Sequence, residues 1–131
     1  MIGLVVVTHA GLGRELLKAA EMIVGPLERA EAVGILPEDK VEAIREGIAG
    51  AIERVGQDGV ILMTDMFGGT PSNMSLSFLQ EKRVEVLTGV NLPMIIKFAS
   101  DRLRHAVTDL APILKESARE SISVAGDYLK K

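Results

Sequence analysis

Ile2-Gly3-Leu4-Val5-Val6-Val7, running directly into Thr8-His9, is the stretch that decides the fold. It is short, unbroken and rich in branched side chains. Alternating polar residues would mark a strand with one wet face. A continuous apolar run instead predicts a strand buried on both faces of a parallel sheet. Such a strand needs helices on either side of it. The residues that follow supply the first, because Leu12, Leu16, Ala19 and Ile23 recur at helical spacing until Gly25-Pro26 stops the pattern.

The same alternation continues along the chain. A weaker strand is predicted around Ala32 to Leu36, then a helix from Glu38 to about Val55 whose apolar stripe is Val41, Ile44, Ile48, Ile52 and Val55. Gly56 to Gly59 break it. Val60-Ile61-Leu62-Met63 reads as a third buried strand ending in Thr64-Asp65. Thr70-Pro71 offers an N-cap and a first-position proline for a helix carrying Met74, Leu76, Phe78 and Leu79. Val84 to Leu87 is the fourth strand, and Asn91 caps a helix from about Leu92 to Leu103. A last helix is placed from near Thr108 to about Ser117, because Pro112 fits only a first turn. Ile122 and Val124, alternating with Ser121 and Ser123, read as a short terminal strand. Together these elements predict an α/β fold: a doubly wound, mainly parallel four-stranded sheet with helices on both faces and right-handed crossovers. No internal repeat, linker or low-complexity segment interrupts it.

Composition narrows the class. A length of 131 residues suits one domain spanning residues 1–131, and an apolar share of 47% supplies a core from aliphatic side chains despite only three Phe and one Tyr. The net charge of −3 leaves no basic stripe for a run of phosphates, which argues against nucleic acid. The absence of Cys rules out disulfides and thiolate metal ligands. The apolar start is too short for a signal or membrane span and has no basic leader. The expectation is therefore a mature chain beginning near Met1 in the cytoplasm.

In open parallel sheets ligands bind beyond the carboxyl ends of the strands, near the point where strand order reverses. By the strand reading, that rim receives His9 from the first strand, Asp65 with Met66-Phe67-Gly68-Gly69 from the third, and Gly89-Val90-Asn91 from the fourth. A neutral imidazole is a nucleophile through one ring nitrogen, while a carboxylate holding the other fixes the tautomer and supports positive charge on the ring. Asp65 suits that role. A phosphoryl group on His9 would find donors in the amides of Gly68 and Gly69, in the two helix N-termini after His9 and Thr70, and in the hydroxyls of Thr70 and Ser72. No metal or organic cofactor is required for such a transfer. Singly, each of these residues has an ordinary structural use as a cap, turn or loop residue. His105, between Arg104 and Ala106 in a stretch read as helical, is taken as a surface residue, and Glu38, Asp39, Glu42, Arg45 and Glu46 as a solvated helix face.

Val-Val-Val-Thr-His9, Thr-Asp65-Met-Phe-Gly-Gly-Thr-Pro-Ser-Asn73 and Thr-Gly-Val-Asn-Leu-Pro-Met94 together resemble the mannose-type (mannose/fructose/sorbose) IIA component of the bacterial sugar phosphotransferase system. The resemblance covers nearly the whole chain in order. It implies a phosphohistidine phosphotransferase component: His9 receives a phosphoryl group from the carrier HPr and passes it to a IIB component, which serves the membrane IIC/IID permease. It further implies that Nε2 of His9 is the reacting atom, that Nδ1 is held by Asp65, and that the Gly68-Gly69 loop and Ser72 surround the phosphate. It also implies a homodimer exchanging a short C-terminal strand, here Ile122 to Val124. Phe67 stands where Trp is frequent in that family, and the expectation is a IIB partner on a separate chain. Two other readings use the same residues, a regulatory module whose phosphorylation state controls a partner and the phosphotransfer subunit of dihydroxyacetone kinase.

Overall fold

The structure, a computed structural model, describes residues 1–81 and 83–129. In chain order the elements are β1 (Gly3–His9), α1 (Leu12–Val24), β2 (Ala30–Ile35), α2 (Val41–Val55), β3 (Val60–Thr64), α3 (Thr70–Leu76), β4 (Val84–Thr88), α4 (Leu92–Asp101), α5 (Val107–Glu120) and α6 (Ala125–Leu129). The four strands form one sheet in the order β2-β1-β3-β4, every pair parallel. The chain builds outward from β1 to β2, then returns to the far side of β1 for β3. Strand order therefore reverses between β1 and β3.

The decisive apolar run behaves as its composition requires. Leu4, Val5, Val6 and Val7 are all 1% exposed or less. Their alternate side chains divide between two cores. Leu4 and Val6 pack with Ile61 and Met63 against Ala20 of α1, Ile95 and Phe98 of α4, and Leu110 and Leu114 of α5. Val5 and Val7 pack with Val60 and Leu62 against Ile44, Ile48, Ala51 and Val55 of α2, with Phe78 completing the cluster beyond α3. This is the doubly wound sheet, covered on both faces.

Several boundaries differ from the periodic reading, each for a local reason. Residues 37 and 38 form a turn, and α2 begins only at Val41, because the Asp39 carboxylate accepts the Leu36 amide at 2.8 Å and caps that turn. Glu38 and Asp39 therefore do not belong to a helix face. At α3 the cap position is Gly69, with φ +83°, and Thr70 is already helical and makes no side-chain cap bond. The Asn91 cap forms as expected, its Oδ1 accepting the Met94 amide at 3.0 Å. Helix α5 runs from Val107 to Glu120 with Pro112 in its interior, so the Thr108 carbonyl lacks an intrahelical donor there. His105 lies in a bend between α4 and α5 and is half-buried, neither helical nor fully on the surface.

The segment Ile122 to Val124 pairs with no strand among the described residues, and α6 follows it. Alternation alone makes a strand only where an edge is available to complete the ladder. Among the described residues the segment has no strand partner, with Ile122 75% and Val124 68% exposed.

Candidate functional site

β1 delivers His9 and β3 delivers Asp65 to the carboxyl end of the sheet, on the two strands between which the order reverses. Their side chains meet there, with His9 Nδ1 2.7 Å from Asp65 Oδ2. The same oxygen accepts the backbone amide of His9 at 2.9 Å. Asp65 thus holds both the ring and the main chain of one residue.

The two partners differ in exposure. The His9 side chain is 53% accessible and that of Asp65 11%. Burial alone would favour the protonated form of Asp65, but the hydrogen bonds from the His9 amide and ring, with the charge of the ring, outweigh it and hold the carboxyl below its ordinary range. An ionised carboxylate can only accept. Nδ1 of His9 must therefore carry the proton, and in the neutral tautomer so fixed the Nε2 lone pair is free. The second carboxylate oxygen, Oδ1, is buried without a partner among the described residues.

The glycine loop closes on that free nitrogen. Gly68 and Gly69 both adopt φ +83°, a region that side-chain-bearing residues rarely enter. A Cβ on Gly69 would stand 3.4 Å from Cε1 and 3.6 Å from Nε2 of His9. Glycine at 69 therefore serves both the loop conformation and the space beside the ring. On the other side a cleft of about 440 Å³ is lined by His9, Ala10, Ile35, Leu36, Pro37, Asp39, Val41, Ile44 and Thr70. The fourth-strand loop is tied in from behind, since the amides of Gly89 and Val90 both donate to the Thr64 carbonyl at 2.9 Å.

His9, Asp65, Gly69 and Thr70 are thus brought together, and Gly68 shapes the loop beside them. Ser72 is placed differently. It is fully buried on α3, does not line the cleft with His9, and its hydroxyl has no partner among the described residues. Sequence reasoning missed the cleft wall of Leu36, Pro37 and Val41. The signal was Pro37, which ends β2 and turns the chain back toward His9. Also unforeseen is the exposure of apolar side chains near His9: Leu36 and Val41 in the cleft wall, and Leu12, Met66 and Phe67 close to His9 and Asp65 in sequence, are all exposed.

The site is thus an exposed imidazole with one nitrogen held by a largely buried carboxylate and the other facing a glycine turn, an arrangement that can serve a nucleophile. Comparison with known proteins supplies the class. The family model described as PTS system fructose IIA component, of the EIIA-man family, matches residues 3–114. The fructose-specific EIIA component of Bacillus subtilis is 29% identical, over 100% of this chain and 91% of that protein. The sorbose-specific EIIA component of Lacticaseibacillus casei is 28% identical, over 89% and 86%. Among solved structures, the mannose/sorbose-specific IIA subunit from Enterococcus faecalis superposes with a TM-score of 0.85 at 26% identity, covering 94% of this chain and 93% of that one. The chain belongs to the mannose-type EIIA family of the sugar phosphotransferase system and is a phosphotransferase component of it. Among the described residues no helix is long and apolar enough to cross a membrane.

Proposed function

We propose that this chain acts as one cytoplasmic IIA domain that relays a phosphoryl group through Nε2 of His9, from phospho-HPr to a IIB component serving the IIC/IID permease. The observation that carries the reading is the 2.7 Å contact between Nδ1 and a carboxylate held in its ionised form. The lone pair on Nε2 attacks phosphorus in line, the P–N bond of the donor phosphoimidazole breaks, and the donor ring leaves with that electron pair. No proton has to move at Nε2. Positive charge on the phosphorylated ring is offset by Asp65, and the phosphoryl oxygens find amides in Gly68 and Gly69 and a hydroxyl in Thr70. Ser72, expected beside the phosphate from the family resemblance, is buried outside the His9 cleft, and its unpartnered hydroxyl could reach the phosphate only if the loop before α3 moved. Transfer onward repeats the same exchange in reverse.

The exposed apolar side chains Leu36 and Val41, which line the cleft with His9, favour a protein donor and acceptor over a free metabolite. Such a surface suits transient docking, with the reactive atom beside it. A homodimer is part of the proposal. Ile122 and Val124 lack a ladder, and a groove of about 360 Å³ runs beside edge strand β4, lined in part by Val86, Thr88, Lys115, Ala118 and Ile122. An exchanged strand from a second copy would complete that edge.

Incubation with phosphoenolpyruvate, enzyme I and HPr is expected to give an acid-labile, base-stable phosphoprotein, with His9→Ala losing all label. A His9→Ala protein that is still labelled refutes the assignment.

A further inference from the structure

The chain leaves β1 at His9 and must turn almost at once into α1. Ala10 makes that turn with φ +49°, in the left-handed region that residues bearing a Cβ normally avoid. Something outside Ala10 must hold it there. Its amide donates to the Ile35 carbonyl of β2 at 2.9 Å. Its own carbonyl lies back over the neighbouring residue of that strand, Gly34.

Parallel register sets Thr8 opposite Gly34 and His9 opposite Ile35. Thr8 and Gly34 therefore point to the same face of the sheet. Thr8 is fully buried, and its hydroxyl oxygen accepts the Gly13 amide at 2.8 Å, fixing the first turn of α1. Opposite it, the place a side chain would occupy on Gly34 holds the Ala10 peptide. A Cβ built on Gly34 would fall within contact distance of the Ala10 carbonyl oxygen, with the carbonyl carbon only 3.2 Å away. Both atoms are backbone and cannot swing aside as the end of a flexible side chain does. Gly34 does not have a positive φ, so its conformation imposes no need for glycine. The need comes from the close approach.

We propose that Gly34 is a positioning residue for His9: by leaving room for the Ala10 carbonyl it lets the chain turn from His9 into α1, and so fixes where the His9 ring stands against Asp65. It acts through the main chain and touches no reacting atom. The consequence for rate rests on the reading of His9 as the phosphoryl acceptor; the consequence for ring position does not.

The test compares Gly34→Ala with Gly47→Ala. Gly47 lies on α2, where a Cβ would meet only Val33 Cγ1 at an ordinary 3.9 Å. Gly34→Ala is expected to slow phosphoryl acceptance from phospho-HPr by about 10- to 100-fold, the scale of a small misplacement of a reacting group. In NMR spectra the His9 Cε1 proton should shift and its titration midpoint move, while His105, the only other histidine, serves as internal reference and stays fixed. Gly47→Ala should match wild type in both measurements. A folded Gly34→Ala protein with the wild-type rate and wild-type His9 spectrum overturns the proposal.

A second variant, Gly34→Ala/Ala10→Gly, frees the turn to rotate clear of the new methyl and is expected to recover toward the wild-type rate and spectrum. Should Gly34→Ala alone fail to fold, this double variant decides. Recovery of the fold supports the proposal, and failure to recover places the clash elsewhere and overturns it. The His9 spectrum needs no phosphoryl donor. Unlabelled wild-type protein would therefore count against the relay and leave the positioning role to be judged on the spectra.

Discussion

Asp65→Asn should slow phosphoryl acceptance by about 10²- to 10⁴-fold, the range seen when a group that orients a catalytic imidazole loses its charge. The geometry explains why a substitution of nearly equal shape is so costly. One oxygen, Oδ2, accepts both the His9 ring N–H and the His9 amide. If the Asn oxygen takes that place, both hydrogen bonds survive but nothing offsets the positive charge of a phosphorylated ring. If the Asn nitrogen takes it, it opposes the His9 amide N–H, and the ring must either leave or accept at Nδ1, the tautomer that protonates Nε2 and removes the nucleophile. Wild-type rates in the variant would show that the carboxylate does not act on the reaction.

The same substitution has a signature in acid. The folded state holds Asp65 below its ordinary range, so the unfolded state binds the proton more readily. The stability this contributes is fully present above the unfolded value of about 3.9 and is lost as pH falls through the still lower folded value. The gap in stability between wild type and Asp65→Asn is therefore expected to narrow below about pH 4. Urea titrations across that range read it directly.

The second large effect concerns stability alone. Phe98→Ala is expected to cost about 3–5 kcal/mol, a large part of the 5–15 kcal/mol that holds a typical domain folded. Phe98 is 1% exposed in the core between the sheet, α4 and α5. Its ring also carries the Arg102 guanidinium, 4.7 Å from the centroid. Arg102 is itself buried and donates to the Ile2 carbonyl at 2.6 and 3.1 Å, while burial pushes its pKa down. Removing the ring leaves a cavity and strips a buried cation of one of its supports. The Ile2 contact places this cluster at the opposite end of β1 from His9, roughly 20 Å away at 3.3 Å per strand residue. Phosphoryl acceptance per folded molecule should therefore be unchanged. A shift of the urea midpoint equivalent to less than about 1.5 kcal/mol would mean the core closes over the gap.

Most of the strand framework was legible because parallel strands buried on both faces leave an unbroken apolar trace, as in Leu4 to Val7 and Val60 to Met63. From that framework alone His9 and Asp65 fall on one rim, and the structure brings them into hydrogen-bond contact. Helix limits were less legible. Those of α2 and α5 depend on a carboxylate capping a turn at Asp39 and on tolerance of Pro112 within a helix, neither of which has a periodic trace. Ile122 to Val124 carried the alternation of a strand, but a strand exists only when its edge is paired, and pairing is not a local property. Ser72 and Gly34 were opaque for a related reason. Whether a hydroxyl is buried or a glycine is crowded is decided by what packs over it from elsewhere in the chain.

The relay through His9 is tested most directly by long-range ¹H–¹⁵N spectra of the two histidine rings before and after phosphorylation by phospho-HPr. The expected result is a phosphoramidate shift at Nε2 of His9, with its Nδ1 proton still hydrogen-bonded to Asp65 and His105 unaltered. Phosphorylation at Nδ1 of His9, at His105, or at neither ring would contradict it.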